Sequence, residues 1–570
     1  MLRELYNIDL VNENSPGGSM SCPKLRLPEG FPIISCVRAL RFKWYFGILW
    51  IRAIGAHLSL HALLLVSYST LTICAQDAAE KDPMRVHYET ANRYLSAGDP
   101  EKAGTEYRVF LAEALHRVAN AEAQVGRFDD AFSLFKEALN FQTADNQLRL
   151  DFAAASLDAE RLTQAKDLAG QVVQRDPRNA SARFLLGRIL YDSEEYKHAK
   201  TQLEAAVALN SDFQTGYLLG KIYLLLRDEK SAGSLFDEMV AGLGDTAVLR
   251  TYFGRAYSLM DYPDQALDEF HKAMARDSHA RDVHYYVALA YLRHEESTGY
   301  DKAIPEFQAE LKNNPEDVRS LYMLGYIALK QRNLAEAEKE LVQASALQPE
   351  DLNTLICLAE TYMAAGRAGE AEARLQKAIA VSNAAPGQQS QVNRAHYLLG
   401  RVLMKQGRVE EAKQQMRMSA SGGSLAADSG LAGEPRMISS GSLVQQESRE
   451  RSADMAHSHS SDEMKKVDAL REQMAPAIAD GYNNLGALAA MHHDYKTAMQ
   501  MFEQSGIWNP KLEGLDRNVG MAAFYAGEYD KALPLLQRHL ESHPEDAAVR
   551  SALDEMFKKR SAGKRAMPPN

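Results

Sequence analysis

Histidines and one cysteine are the side chains of this sequence that could carry chemistry, but none stands in a pattern that a reaction needs. The phosphate loop GxxxxGK[ST], the nucleophile motif GxSxG and the zinc motif HExxH are absent from the 570 residues. His457 and His459 lie in a Ser/Gly-rich stretch with nothing nearby to complete a metal site. His492 and His493 fall in a predicted turn, where polar side chains are solvated. We therefore predict no metal, no cofactor and no enzymatic activity.

The cysteines argue against a disulfide framework. Cys22, Cys36 and Cys74 lie near the N-terminus, and the four cysteines show no metal-ligand spacing. Cys357 follows the apolar pattern of a helix, so we predict a packed thiol. If the N-terminal segment is removed, Cys357 is alone and no intrachain disulfide can form.

The charge balance argues against nucleic acid as a partner. The formal net charge is -11, and the first 75 residues carry more basic than acidic residues, so the remainder is more acidic still. Binding to phosphates needs a broadly basic face. We predict no nucleic-acid partner.

An export signal is predicted near the N-terminus. Residues 53–75 contain no Lys, Arg, Asp or Glu, basic residues precede them, and acidic residues follow from Asp77. This is the charge pattern of a signal peptide over 37–75, cleaved before Gln76, or of an uncleaved membrane anchor. Residues 1–36 are then an unstructured extension or a mis-assigned start. Both alternatives place the rest outside the cytoplasm, either in the periplasm or as a single-span membrane protein with its repeats on the non-cytoplasmic side.

A repeat of 33 or 34 residues runs through most of the chain. Each copy has a small residue and a second small residue twelve positions later, and four positions after that comes a large apolar residue in every copy but the third, which has Ala169. The first small positions are Ala91, Ala119, Ala153, Gly187, Gly220, Gly254, Ala288, Gly325, Ala359, Gly400, Gly486 and Gly520. The second are Ala103, Ala131, Ala165, Ala199, Ala232, Ala266, Ala303, Ala337, Ala371, Ala412, Ala498 and Ala532. One small residue on each of two helices lets their backbones approach, and the large residue fills the groove between pairs.

This pattern resembles the tetratricopeptide repeat, a helix–turn–helix unit that stacks on its neighbours. The resemblance implies an all-α, right-handed α-solenoid of about twelve repeats, each stabilised by the next. The first interval is only 28 residues, so the first repeat is expected to be irregular.

The repeat boundaries predict the organisation of the chain. Repeats one to ten occupy 85–417. The Ser/Gly/Ala-rich residues 418–460 form a flexible linker. Residues 461–559 hold a helix, repeats eleven and twelve and a capping helix, and 560–570 form a tail.

The same resemblance implies where a partner binds, because first helices of this family line a concave groove. The positions that face it are one after and three before the first small residue, and two before it for the asparagines. They nominate Phe184, Arg188, Tyr217, Lys221, Arg255, Tyr285, Tyr322, Tyr326, Tyr397, Arg401, Asn484 and Asn518. We expect a basic and aromatic surface, whose long cationic side chains could alternatively just cover apolar helix.

The predicted function is a non-catalytic scaffold outside the cytoplasm that binds a protein or peptide with acidic and apolar side chains. A membrane-tethered envelope assembly factor and a regulatory subunit of a separately encoded enzyme are the alternatives. Contact with a membrane is expected only through the uncleaved N-terminal segment.

Overall fold

The computed structural model describes residues 83–294, 299–382, 389–420 and 461–565, and these form α-helices joined by short turns. The helices of the first ten repeats are α1 (Pro83–Ser96), α2 (Pro100–Gln124), α3 (Phe128–Phe141), α4 (Asn146–Asp158), α5 (Leu162–Arg175), α6 (Ala180–Asp192), α7 (Tyr196–Leu209), α8 (Phe213–Leu225), α9 (Glu229–Leu243), α10 (Ala247–Leu259), α11 (Pro263–Arg276), α12 (Val283–His294), α13 (Gly299–Asn313), α14 (Val318–Lys330), α15 (Leu334–Leu347), α16 (Leu352–Ala364), α17 (Ala368–Ser382), α18 (Gln389–Lys405) and α19 (Val409–Ala420). The last five are α20 (Ser461–Met491), α21 (Tyr495–Trp508), α22 (Leu515–Ala526), α23 (Tyr529–Ser542) and α24 (Ala547–Arg565).

Local sequence signals start and stop these helices. Most first helices between repeats three and nine begin after a side chain that accepts a hydrogen bond from a backbone N–H three residues on: Asp145, Asn179, Asp212, Thr246, Asp317 and Asp351. The turn to the second helix then takes a residue with positive φ, which is Gly126, Gly366, Gly407 and Gly527 in some repeats and Glu160, Glu194, Arg227 and Arg332 in others. These signals recur in most of the described repeats and set where their helices begin and end.

The small residues of the repeat pack as the sequence predicts. A Cβ atom added at Gly220 would lie 2.3 Å from the Phe236 ring, and one at Gly254 would lie 2.4 Å from the Phe270 ring. Gly187 and Gly325 meet leucines in the same way. In these repeats the large apolar residue of the second helix therefore occupies the space that glycine leaves on the first helix. The all-α solenoid of stacked helix pairs is confirmed.

Two helices are longer than one repeat element. The second helix of repeat one and the first helix of repeat two form the single helix α2, which explains the interval of 28 residues: the turn between them is missing. The helix predicted ahead of repeat eleven likewise continues through Pro476 into the first helix of that repeat, so that α20 has 31 residues.

Other predicted limits shift by a few residues. Helix α19 ends at Ala420, inside the predicted linker 418–460, and α24 runs to Arg565, beyond the predicted limit at residue 559. Helix α19 contains no glycine or proline, so it continues past the last position of the repeat pattern. The signal segment 37–75, the histidines 457 and 459 and linker residues 421–460 lie outside the described residues. Among the helices described, none has the length and apolarity to cross a membrane.

The C-terminal helices do not extend the stack from its tenth repeat. Helix α20 packs along α2, and α21 to α24 follow from α20 in order. We call residues 461–565 the C-terminal module. Its buried residues Met474, Ile478 and Tyr482 belong to the same hydrophobic core as the first repeats.

Candidate partner-binding surface

First helices form the inner face of the repeat array. Helices α4, α6, α8, α10 and α12 contact one another in succession, whereas the described second helices show no comparable contact between neighbouring repeats. Second helices therefore spread apart on the outer side. Side chains on the exposed face of the first helices share one continuous surface across the repeats.

Rings and cations alternate along this surface between repeats four and seven. We call them the aromatic–cation ladder, made of Tyr191, Tyr217, Lys221, Tyr252, Arg255 and Tyr286.

Lys221 occupies the first interval of the ladder. Its Nζ lies 5.1 Å from the centre of the Tyr191 ring and 6.0 Å from that of Tyr217. The Tyr217 ring also stacks on Phe213 at 5.6 Å. A cation between two aromatic faces is attracted by both ring quadrupoles, more so when water is excluded.

Arg255 occupies the second interval. Its guanidinium carbon lies 4.7 Å from the centre of the Tyr286 ring and 5.6 Å from that of Tyr252, which meets Tyr217 edge-on at 5.7 Å. Stacking uses the faces of the guanidinium plane and leaves its N–H groups to point along the edges. Arg255 is half-buried.

Burial corrects one expectation. A basic surface is expected at the groove positions, but Lys221 is only 5% exposed. Its aliphatic stem and its ammonium group are enclosed by rings of two repeats. Replacement of Lys221 by Ala is therefore expected to disturb packing as well as charge.

The surface continues into repeats seven and eight with a different charge pattern. Arg319 lies over the Tyr285 ring at 4.5 Å, donates to Asp317 at 2.8 Å and pairs with Asp282. Burial raises the pKa of Tyr285 to about 12. The Tyr322 and Tyr326 rings stack at 6.3 Å, and Tyr326 is buried. Cationic charge here is neutralised within the chain.

The structure keeps other nominated residues apart from the ladder. Phe184 and Arg188 are half-buried on α6, and the buried Nε of Arg188 has no hydrogen-bond partner among the described residues. Tyr397 and Arg401 form an exposed pair on α18, with the guanidinium 5.9 Å from the ring centre. Arg401 also lines a cavity of about 350 Å³ between α16 and α18.

Both asparagines lie in the C-terminal module and are held by neighbours. Asn484 donates to Asp480 at 3.0 Å, and Asn518 donates to Asn483 at 2.9 Å. Asp480 also accepts the Tyr88 hydroxyl at 2.6 Å. Asn484 therefore stands beside the contact between the module and the first repeat, not beside the ladder.

Sequence reasoning missed half of the ladder. Tyr252 and Tyr286 stand two before the first small residue, where only asparagine was sought, and Tyr191 lies four after Gly187. Tyrosine at the same place in two successive repeats was a readable signal. The contact of Tyr191 with Lys221 crosses repeats and needed the structure.

Residues considered for chemistry take structural roles. Cys357 is buried, and burial raises the pKa of its thiol to about 12, which makes it unreactive near neutrality. His492 lies 3.4 Å from Glu101, and the His493 ring meets the Tyr495 hydroxyl at 2.8 Å. In the described ranges, no group of His, Cys, Asp and Glu is placed to hold a metal.

Comparison with known proteins identifies the repeats. Two tetratricopeptide-repeat models match, one over residues 156–222 and the other over 293–351 and 358–422. No curated protein matches the chain.

Similar solved structures are also helical-repeat proteins. A tetratricopeptide repeat protein from Parabacteroides merdae is 14% identical, with 53% of this chain and 98% of that one covered and a TM-score of 0.32. Yeast Tom70 is 14% identical, with 75% and 99% covered and a TM-score of 0.28. MamA from Desulfovibrio magneticus is 19% identical, with 31% and 95% covered and a TM-score of 0.28.

Proposed function

We propose that this chain binds an extended protein segment with acidic and apolar side chains along the aromatic–cation ladder. The chain is a tetratricopeptide-repeat protein, and hence a protein-interaction scaffold. The proposal includes no catalytic step by this chain. Stacked repeats create long inner surfaces of the kind that extended segments occupy.

The observation that carries the proposal is the stacking of Arg255 between Tyr252 and Tyr286. Two rings hold the guanidinium in one orientation before a partner arrives, so little side-chain entropy is lost on binding. Its N–H edge suits a carboxylate, which it can bind through two parallel hydrogen bonds. The rings beside it offer flat apolar area.

The test compares two variants of residues 77–570 with equal loss of charge. The ladder variant carries Arg188→Ala, Lys221→Met and Arg255→Ala, where methionine keeps the buried volume of the lysine stem. The control carries Lys197→Ala, Lys230→Ala and Lys312→Ala, three exposed positions on second helices.

A partner captured by the parent protein should bind the ladder variant at least tenfold more weakly at low salt and bind the control almost unchanged. Each charge-assisted contact contributes roughly 1.5–3 kcal/mol. Circular dichroism should show equal helix content in both variants. If the folded ladder variant binds as tightly as the parent, recognition lies elsewhere, and the convex face or the last two repeats become the candidates.

We also propose that the chain is exported by a bacterial-type pathway and works in the periplasm. The support is the uncharged run 53–75 with basic residues before it and acidic residues after it. A mature N-terminus at or near Gln76 in a periplasmic fraction is expected. An intact N-terminus in the membrane fraction would favour the tethered assembly factor, and one in the cytoplasm would refute export.

A further inference from the structure

A cavity of about 350 Å³ lies between α16 and α18, the first helices of repeats nine and ten, which contact each other. Glu360 and Arg401 line it, and both stand one position after the first small residue, where side chains face the inner surface. The buried side chains of Leu398 and Val402 form its apolar part. We call this cavity the α16–α18 pocket. Its volume is at the small end of the range for ligand pockets, roughly 300–1,000 Å³, and so suits a single large side chain.

Small residues on α16, on α17 and in the turn between them leave this space open. Gly366 has positive φ in that turn, and nothing lies within 4 Å of a Cβ atom added there. The lining on this side consists of Ala364, Gly366 and Ala368. In repeat eight the same three places are taken by the larger residues Lys330, Arg332 and Leu334. The pocket therefore depends on the particular sequence of repeat nine and not on the general repeat pattern.

The exposed edge of the pocket is cationic. Arg401 and Lys405 line it from α18, both are exposed, and neither forms an ion pair with a described residue. The carboxylate of Glu360 lies 2.7 Å from the guanidinium of Arg394, which neutralises its charge. Because two cations are left without an internal anion, the charge of the pocket is complementary to an occupant that carries carboxylates.

Two side chains at the pocket favour an aromatic ring. The guanidinium of Arg401 lies 5.9 Å from the centre of the Tyr397 ring, and Tyr397 is 42% exposed. A planar guanidinium has two faces, so the second face can stack on a ring of the partner. Met363 lines the pocket from α16, and a thioether makes favourable contacts with the edge of a ring. An aromatic side chain would therefore meet suitable groups on both helices.

We propose that the α16–α18 pocket takes an aromatic side chain of the partner segment, and that Arg401 and Lys405 pair with acidic residues beside it. This inference rests on the proposed function, because it places one residue of the segment that binds along the aromatic–cation ladder. One bulky side chain anchored in a pocket fixes the register of an extended segment. Successive rings and cations that resemble one another, as in the ladder, fix it less sharply.

The test uses the full chain and two tripeptides, Glu-Phe-Glu and its matched control Glu-Ala-Glu, both with acetylated and amidated ends. Saturation-transfer NMR at millimolar peptide detects contact between the protein and the Phe ring protons. Ala364→Trp fills the pocket from an exposed position at the end of α16. Ala373→Trp, at an exposed position on the second helix α17, is its control. The Phe ring should receive saturation from the parent chain and from the control, and lose it in Ala364→Trp.

A second pair of variants tests the charges. Arg401→Gln with Lys405→Gln removes both cations of the pocket, and Lys413→Gln with Arg417→Gln removes two exposed cations of the second helix α19. The first pair should weaken binding of Glu-Phe-Glu roughly threefold to tenfold at low salt, since exposed ion pairs contribute about 0.2–1 kcal/mol each. The second pair should leave binding unchanged.

Circular dichroism confirms that each variant keeps the helix content of the parent. A parent chain that transfers no saturation to Glu-Phe-Glu, or a folded Ala364→Trp chain that still does, would overturn the proposal. If Ala364→Trp does not fold, unchanged binding by the Arg401→Gln, Lys405→Gln chain overturns it instead. Transfer that survives in Ala364→Trp and disappears with the three ladder substitutions refutes the pocket and supports the proposed function. Transfer that requires the pocket, together with a captured partner that is insensitive to the ladder substitutions, supports the pocket and refutes the ladder.

Discussion

Glu310 is a fully buried carboxylate on the second helix of repeat seven. Its Oε1 accepts the backbone N–H of Asp282 at 3.1 Å, while Oε2 has no hydrogen-bond partner among the described residues. Burial therefore raises the pKa of Glu310 above its ordinary value, helped by the nearby Asp282 and Asp317. A buried charge without full hydrogen bonding costs stability.

Replacement of Glu310 by Gln should stabilise the protein at neutral pH by about 1–2 kcal/mol, since it removes a buried charge and keeps an acceptor for Asp282. A raised folded pKa means that wild-type stability falls as pH rises from the unfolded pKa through the folded one. The gain in Tm should thus be full at neutral pH and vanish below about pH 4. Glu316→Gln, at an exposed site, should leave Tm unchanged at both pH values. An equal gain for Glu310→Gln at both pH values would contradict this account.

Single residues of the ladder were only partly predictable. Arg255 and Tyr217 follow from their places in the repeat, because the helical period alone sets which positions face inward. The burial of Lys221 does not follow, because it depends on the Tyr191 ring of the preceding repeat. The position in the repeat predicts which way a side chain points. It does not predict burial, because the neighbours that enclose the side chain come from two different repeats.

At the scale of helices, the contact of Gly220 with the Phe236 ring decides how closely α8 and α9 approach. Gly220→Ala should destabilise by about 1–3 kcal/mol, because its Cβ would lie 2.3 Å from the ring. Gly170→Ala is the matched control: Gly170 is helical, and nothing lies within 4 Å of an added Cβ. That change should be neutral or stabilise by up to about 1 kcal/mol. Thermal unfolding of both variants measures the difference, and similar Tm values would show that close approach at the small position is not required.

The period of the repeat predicts the number and the pairing of the helices, but it does not predict the two long helices α2 and α20. The interval of 28 residues indicated an irregular first repeat, but its cause, the absent turn within α2, is seen only in the structure. Local patterns specify how each repeat meets the next. Local patterns do not predict the contact between α2 and α20, because residues that meet there, such as Arg127 and Asp468, are 341 positions apart.

At the scale of the molecule, the packing of α20 along α2 changes the expected result of proteolysis. The first cut should fall within 419–460, in the stretch that the sequence predicts to be a flexible linker, and should give a large N-terminal and a small C-terminal fragment. The fragments should nevertheless elute together, because Met474, Ile478 and Tyr482 of α20 belong to the same hydrophobic core as the first repeats and hold the fragments together without a covalent link. Separation under native conditions would show that the contact between α2 and α20 is weak. First cuts inside 150–410 would show that the predicted boundary is wrong.

The central claim is that partners bind on the inner face at the aromatic–cation ladder. Hydrogen–deuterium exchange of residues 77–570 with and without a captured partner tests it most directly. Protection should be greatest in peptides from α6, α8, α10 and α12, which carry the ladder, and small in α7, α9 and α11 on the outer side. Protection concentrated on those second helices, or in the C-terminal module, with α8 and α10 unchanged, would contradict the account.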